Sequence, residues 1–205
     1  MKDYGINGHK SVLKNLKNVM KAVNQKYSIK VGIIGEKAFE KHPDSNLTNA
    51  QLGAVHEFGA VIPVTDKMRA FFRSQGVYLK KTTTHISIPA RSFLRAVLLN
   101  KEVQEQLYEA AGLSSSRKDR ELNKEIVLLQ MMKGNTQIMQ QISEAVGEKA
   151  LELVQTAFIT GGYPDRWPPI TELTKEWRKG EHLAPPLTDT GALLDSISFE
   201  VRKVK

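Results

Sequence analysis

Few side chains in this sequence stand at the spacings that catalysis or metal binding requires. His56 and Glu57 begin the pattern of a zinc-protease helix, but that pattern needs a second histidine four residues after the first, where Ala60 stands. No pair among the five histidines has metal-ligand spacing, and the chain contains no cysteine. Motifs for a serine nucleophile, a phosphate-binding loop or a dinucleotide are also missing. We therefore predict no metal site and no cofactor.

Carboxylates near the C-terminus are the remaining candidates for acid–base chemistry. They are Asp165, Glu172, Glu176, Asp189 and Asp195. General acid–base catalysis needs such groups held at a substrate site, and the segment that carries these five has no pattern that predicts a pocket. Carboxylates are also common at protein surfaces. The sequence thus predicts a protein that is not an enzyme and has no catalytic residue.

Lysines are the charged side chains with the clearest spacing. Residues 1–30 hold seven lysines and one aspartate, so about a seventh of the chain carries most of the formal net charge of +8. A helix predicted from His9 to Lys26 would carry an apolar stripe on one side and a lysine stripe on the opposite side. The apolar stripe consists of Leu13, Leu16, Met20 and Val23, and the lysine stripe of Lys10, Lys14, Lys17 and Lys21.

Two interpretations of the lysine stripe are open. It is either a solvated surface or a face that binds a polyanion, most simply the backbone of a nucleic acid. Because no arginine or aromatic residue alternates with the lysines, such a face could hold phosphates but could not read bases. Sequence-specific DNA binding is therefore not expected.

Arginines and aromatic residues are candidates for contacts between subunits. Arg91 and Arg95 are four residues apart and would share one face of a helix that Pro89 opens. Their guanidinium groups could lie on an exposed face, form an intramolecular salt bridge, or bind a carboxylate of another subunit. Tryptophans either pack in a core or loop or anchor an interface. The candidate interface residues are Phe58, Arg91, Phe93, Arg95, Trp167 and Arg178.

Periodicity and cap residues place these candidates on a set of predicted helices and strands. The helices run over 9–26, 48–58, 65–73, 89–112, 120–132, 136–159 and 190–195, and the strands over 29–35, 61–63, 77–80, 84–88 and 197–204. This pattern predicts an α+β fold in which a small mixed or antiparallel sheet packs with several helices, one of them long. We predict a single domain over 1–205, with a basic amphipathic helix in 1–27 and a helical insertion at 100–134.

Length and composition are those of a globular protein, with 205 residues of which 40% are hydrophobic and 25% charged. No apolar run reaches the roughly 18–20 residues of a membrane-spanning helix, so no membrane partner is expected. The N-terminal residues lack the apolar region of a signal peptide, and disulfides need cysteine. We expect the protein to fold in a reducing cytoplasm.

Three stretches of the chain together resemble a known family. They are Asn49–Gly59 followed by Ile62–Arg69, then Ile88–Arg95, and finally Tyr163–Ile170 with Thr174 and Arg178, ending in Leu187–Ile197. In this order and spacing they are similar to the Mu-type phage virion morphogenesis, or tail completion, proteins. The wider group includes minor tail and head–tail joining components of tailed phages. The resemblance covers about residues 27–204.

The resemblance implies a structural protein of the virion neck or tail end that acts by assembly and not by catalysis. It implies a homo-oligomeric ring, with a hexamer as one candidate size, and partners in the tail tube and in the neck or head-completion proteins. The protein would reside in the virion after assembly in the bacterial host cytoplasm. The lysine stripe would then line the DNA passage, with non-specific contact to DNA, or touch an acidic partner. The alternative is a non-sequence-specific DNA-binding accessory protein that uses this stripe.

Overall fold

The computed structural model describes residues 6–43, 45–113, 116–178 and 185–204. Its contacts group the chain into two compact units. The first unit comprises the described residues of 1–34, 97–155 and 197–205, and the second those of 35–96 and 156–196. The expectation of one domain stays a prediction, as does the assignment of 100–134 as an insertion.

Nine α-helices and four β-strands form within the described residues. The helices are α1 (Ile6–Val23), α2 (Asn49–Phe58), α3 (Asp66–Ser74), α4 (Arg95–Leu98), α5 (Lys101–Ala110), α6 (Arg117–Met132), α7 (Ile138–Thr160), α8 (Glu172–Glu176) and α9 (Ala192–Asp195). The strands are β1 (Lys26–Ile33), β2 (Ala60–Pro63), β3 (His85–Ile88) and β4 (Ile197–Val204). The predicted α+β class is confirmed, because the strands form two antiparallel two-stranded sheets and α7 is a long helix of 23 residues.

The first unit contains the sheet in which β1 pairs with β4 along the whole length of both strands. Gly147 of α7 lies against the ring of Phe199 in β4, and a Cβ at this position would collide with that ring. Glycine therefore allows helix and strand to approach closely. The core side chains of this unit are Val97, Val103, Met131, Ala150, Leu153, Val154 and Ile197.

The core of the second unit is a row of three aromatic rings. The ring centroids of Phe93 and Phe158 lie 5.1 Å apart, and those of Phe158 and Trp167 lie 5.5 Å apart. Both pairs meet edge to face, the arrangement that the ring quadrupoles favour. All three side chains are buried.

Helix α2 begins and ends at the residues that its sequence predicts. The Thr48 hydroxyl accepts a hydrogen bond from the Gln51 N–H, and the Gln51 side chain accepts one from the Thr48 N–H, which forms a capping box. Gly59 ends the helix at φ 73° and ψ 171°. The chain then enters β2, which pairs antiparallel with β3. Thr65, the first residue of the range predicted for α3, is the N-cap of that helix, and its hydroxyl accepts a hydrogen bond from the Met68 N–H.

Two predicted elements near the sheets are wrong in extent or type. The first helix ends at Val23, and β1 starts at Lys26, because the chain from 26 onward pairs with β4. Residues 77–80 form no strand. The carbonyl of Lys80 instead accepts a hydrogen bond from the Arg69 guanidinium at 3.1 Å.

The prediction of one helix starting at Pro89 is also wrong. The chain forms two helices here, and the first begins after the predicted position. Residues 89–94 are not helical, α4 begins only at Arg95, and α5 begins anew at Lys101. Asn100 causes the second start, since its side chain accepts hydrogen bonds from the N–H groups of Glu102 and Val103. Helix α4 begins only at Arg95 because the Glu57 carboxylate accepts hydrogen bonds from the N–H groups of residues 93–95.

Candidate functional site

The carboxylate of Glu57 is the centre of the motif residues in the second unit. Glu57 lies on the last turn of α2 and is only 5% exposed. Oε2 accepts hydrogen bonds from the N–H groups of Phe93 at 2.9 Å and Leu94 at 3.0 Å. Oε1 accepts from the Ser92 hydroxyl at 2.6 Å and the Arg95 N–H at 3.0 Å. The carboxylate therefore satisfies the unpaired N–H groups at the start of α4, which is the task of a helix cap.

Arg95 and Phe58 form an exposed pair beside this carboxylate. The Arg95 guanidinium stacks over the Phe58 ring at 4.7 Å from its centroid, a cation–π contact. It also donates a hydrogen bond to the Glu57 carbonyl at 3.3 Å, and its Nε lies 3.5 Å from Glu57 Oε1. Phe58 is 65% exposed. Of the candidate interface residues, these two present the most accessible apolar and cationic surface.

Arg91 faces the interior of the second unit. Its Nε donates to the Pro168 carbonyl at 3.1 Å, and its Nη2 donates to the Pro169 carbonyl at 3.3 Å. Burial, together with the neighbouring charge of Arg178, lowers the pKa of Arg91. Because residues 89–94 are not helical, Arg91 does not share a helix face with Arg95, and that prediction is wrong. Arg91 instead holds the proline-rich segment in place.

Phe93 and Trp167 are core residues of the second unit. Phe93 is 1% exposed and Trp167 is 9% exposed. The indole Nε1 of Trp167 donates to the Ser92 carbonyl at 3.2 Å, which satisfies its single donor. Both rings are therefore buried in the folded chain, whereas a surface anchor must be exposed.

A cavity of about 410 Å³ in the second unit is lined by apolar and polar side chains, most of them from the motif segments. Asp189 is among them, so the C-terminal segment contributes to a pocket that its sequence pattern does not predict. His56, Arg91 and Arg178 line it, and the Arg178 guanidinium donates to the Pro185 carbonyl at 2.7 Å. The Nδ1 atom of His56 is buried and has no hydrogen-bond partner. Burial, and then the charges of Arg91 and His42, lower the pKa of His56 from 6.5 to about 4. The ring is therefore neutral at pH 7.

The lysine stripe of α1 is exposed, as its sequence predicts, but the helix packs differently from the prediction. Val12, Leu13, Leu16, Met20 and Val23 are all between 54% and 64% exposed. The side that packs on the first unit carries Ala22, which is fully buried, and the partly buried Asn15, Asn18 and Val19. The Asn18 side chain donates to the Met132 carbonyl of α6 at 3.3 Å.

Helix α1 therefore has three faces where the sequence predicts two. At 100° per residue, the lysine stripe, the packing face and the exposed apolar face each cover about a third of the circumference. We name the third face, formed by Val12, Leu13, Leu16, Met20 and Val23, the apolar face of α1. Sequence reasoning missed its exposure, although the small Ala22 on the same side of the helix as Asn15 and Asn18 is a signal for close packing there.

An apolar groove adjoins the apolar face of α1. It has a volume of about 350 Å³ and is lined by Val19 and Val23 of α1 together with side chains of α6 and α7. Leu113 and Leu128, which also line it, remain substantially exposed. Contiguous apolar surface of this kind commonly marks a protein interaction site.

No family of known proteins, no curated protein and no solved structure shows a significant match to this chain. Among the described residues, no group of three or more histidines and carboxylates lies close enough to hold a metal ion. Within the same ranges, no helix combines the length and apolar character needed to cross a lipid bilayer.

Proposed function

We propose that this protein is a structural component of a tailed-phage particle that completes the tail end or joins head to tail. In this proposal it acts as an assembled ring of identical copies and catalyses no reaction. Its partners are the tail tube and the neck or head-completion proteins, and it assembles in the bacterial cytoplasm before it becomes part of the virion. The ordered resemblance of three stretches of the chain to the tail completion proteins is the starting point.

The observation that carries the proposal is how the motif residues use their polar groups. The Glu57 carboxylate accepts hydrogen bonds from four donors, and the Arg91 guanidinium donates hydrogen bonds to two proline carbonyls. Trp167 donates its N–H to Ser92. An enzyme needs such groups turned toward a substrate, whereas the hydrogen bonds of these groups go to backbone atoms and to the Ser92 hydroxyl of their own unit. This arrangement supports a rigid building block that presents surfaces.

Deletion of the gene from the phage or prophage tests the proposal directly. We expect particles without the protein to appear in electron microscopy as separate heads and unjoined or over-long tails. Purified wild-type protein added to the mutant lysate should restore joined, infectious particles. Joined particles of normal length and infectivity in the deletion mutant would overturn the proposal.

The exposed Phe58–Arg95 pair offers a sharper version of this complementation experiment. A protein with Phe58→Ser and Arg95→Ser should fold, because both side chains lie largely outside the core, but should complement poorly if the pair contacts a partner. The matched control is a double variant of the exposed ion pair in α8, Glu172→Ser with Lys175→Ser, which should complement like the wild type.

The lysine stripe supports a second candidate, a DNA-binding accessory protein without sequence preference. Lys10, Lys14, Lys17 and Lys21 are all exposed on one face, and four lysines that neutralise four phosphates give a logarithmic salt slope of about −3.6. If this candidate is correct, the protein binds duplex DNA and the logarithm of the binding constant falls with the logarithm of salt concentration at that slope. The double variant Lys14→Glu with Lys17→Glu then no longer binds DNA. Unchanged DNA affinity in the double variant would eliminate it.

A further inference from the structure

We infer that the basic and apolar surface of α1 in one copy binds an acidic surface of α5 in the next copy of the same chain. The inference rests on the proposed ring assembly and names the contact that would build it. Glu102, Glu105 and Glu109 form the acidic surface of α5, and all three are exposed. Neither they nor the lysines of the stripe form a side-chain ion pair within the described part of the chain.

The first half of this contact is the pair of solvent-facing surfaces on α1. Its apolar face exposes five side chains in a continuous row, and the lysine stripe borders that row on one side. Single exposed apolar residues are ordinary, but a continuous row bordered by charge marks an interface. The apolar groove extends this surface past Val23.

The second half is the outer side of α5, which combines carboxylates with apolar side chains. Val103 is fully buried and fixes the side by which α5 packs on the first unit. The outer side carries the three glutamates, and Tyr108 on the same helix is 57% exposed. Leu99 before the helix is 69% exposed. This surface can therefore cover apolar side chains and neutralise lysines at once.

The charged residues of the two helices have the same spacing. Lys14, Lys17 and Lys21 stand at positions i, i+3 and i+7, and so do Glu102, Glu105 and Glu109. With a rise of 1.5 Å per residue, each set spans about 10.5 Å along its helix. Two helices that lie side by side and run parallel can thus bring three lysines opposite three carboxylates.

Other surfaces of the chain fit α1 less well. The exposed apolar stripe of α6, formed by Leu122, Ile126 and Leu129, lies on a helix with four basic and three acidic residues, whereas α5 has one lysine and three glutamates. A symmetric antiparallel pairing of α1 with its own copy would set lysine against lysine, which is unfavourable. The pairing of α1 with α5 uses two different surfaces, and a contact of this type continues from copy to copy until a ring closes.

Charge exchange tests the pairing in the full-length protein. We expect wild-type protein to associate in sedimentation equilibrium, and Lys14→Glu with Lys17→Glu to weaken association at least about tenfold. Glu102→Lys with Glu105→Lys should weaken it equally. The variant with all four substitutions should regain association, because the charges again oppose each other. The control is Lys80→Glu with Lys81→Glu, two exposed lysines of the second unit, which should associate like the wild type.

Crosslinking tests the geometry, and the absence of native cysteine makes it specific. A Lys17→Cys protein mixed with a Glu105→Cys protein should form a covalent heterodimer with a short bismaleimide. Neither protein alone should crosslink efficiently, because the proposed contact joins different positions. Efficient crosslinking of the Lys17→Cys protein to itself would show the symmetric α1 pairing and overturn the inference.

Further outcomes separate this inference from the proposed function. If wild-type protein is monomeric at all concentrations, or if the reversed charges leave association unchanged, the α1–α5 contact is refuted while the deletion phenotype can still support the phage role. Binding of α1 to DNA or to anionic lipid vesicles in place of a second copy would refute it as well. Conversely, normal particles in the deletion mutant refute the phage role and leave the charge-exchange result standing.

Discussion

At the scale of single residues, Glu57 determines the backbone of a segment more than thirty positions away in the chain. Its carboxylate accepts hydrogen bonds from three consecutive N–H groups, those of Phe93, Leu94 and Arg95, and from the Ser92 hydroxyl. Hydrogen bonds to a charged acceptor are stronger than neutral ones, and a buried N–H that loses its acceptor costs its full desolvation. The side chain therefore acts as a structural cap.

Replacing this carboxylate by an amide should destabilise the protein measurably. Glu57→Gln keeps the size of the side chain but substitutes an N–H₂ donor for one acceptor oxygen, which then faces backbone donors. We expect the free energy of unfolding in urea to fall by about 2–4 kcal/mol. The exposed Glu172→Gln is the control and should change it by less than about 0.5 kcal/mol. Equal effects of the two substitutions would contradict the capping role.

His56 should make stability depend on pH below neutrality. Its pKa is about 4 in the folded chain, against 6.5 for an unperturbed histidine, because burial and nearby cations disfavour the charged ring. As the pH falls from 6.5 toward 4, the unfolded chain binds a proton that the folded chain does not, so the folded state loses stability. We expect a loss of roughly 1–2 kcal/mol between pH 7 and pH 5.

Urea unfolding at both pH values measures this loss. His56→Asn should remove most of the decrease between pH 7 and pH 5, whatever its effect at pH 7. His85→Asn, at an exposed position, should keep the decrease of the wild type. If His56→Asn retained it too, other groups would be responsible.

At the scale of elements, helix ends depend on local residues, and the glycine that ends α2 also lets another segment of the chain pack closely against it. Gly59 ends α2 at a backbone conformation that only glycine adopts readily. A Cβ here would lie 2.9 Å from the Ile88 carbonyl oxygen and 3.0 Å from the Ala90 nitrogen. Gly59 thus lets the chain turn into β2 and lets the segment after β3 lie against this turn.

Two glycine substitutions separate conformational strain from collision. Gly35 has a similar conformation, with φ 71° and ψ −156°, but a Cβ there would have no neighbour within 4 Å. Gly35→Ala should cost about 1–3 kcal/mol from the backbone alone. Gly59→Ala should cost about 1–3 kcal/mol more, because backbone atoms must move. Urea midpoints and slopes provide the comparison, and equal losses would show that the close approach is unimportant.

At the scale of the whole molecule, much of the excess positive charge lies on one helix that also exposes apolar surface. The formal net charge of +8 suggests nucleic acid as a partner when taken alone. The location of the lysines beside the apolar face of α1 favours a protein surface that offers both carboxylates and apolar side chains. Charge and apolar area would then act together in assembly.

Two substitutions at equally exposed leucines test this view. Leu16 on the apolar face of α1 and Leu122 on α6 are both 54% exposed. Either change to glutamate should alter the free energy of unfolding by no more than about 0.5 kcal/mol. Only Leu16→Glu should reduce association in sedimentation equilibrium, while Leu122→Glu should not. Loss of association in both variants, or in neither, would contradict the assignment of the α1 surface.

The sequence by itself determined those features that depend on residues within one helical turn. Thr48 with Gln51 sets the start of α2, and Gly59 sets its end. Thr65 with the Met68 N–H sets the start of α3, and in both caps the partner lies three positions away. Hydrophobic periodicity over 23 residues likewise suffices for α7. The α+β class follows from such local signals.

Only the tertiary structure decided which face of α1 packs and which N–H groups Glu57 binds. The packing face of α1 carries Asn18, whose partner carbonyl belongs to Met132, so no local pattern could single it out over the more apolar stripe. Residues 89–94 do not form part of the helix predicted from Pro89, because the Glu57 carboxylate of α2 accepts hydrogen bonds from the N–H groups of residues 93–95. Contacts between distant segments add energies comparable to local preferences, and they prevail wherever they satisfy buried polar groups.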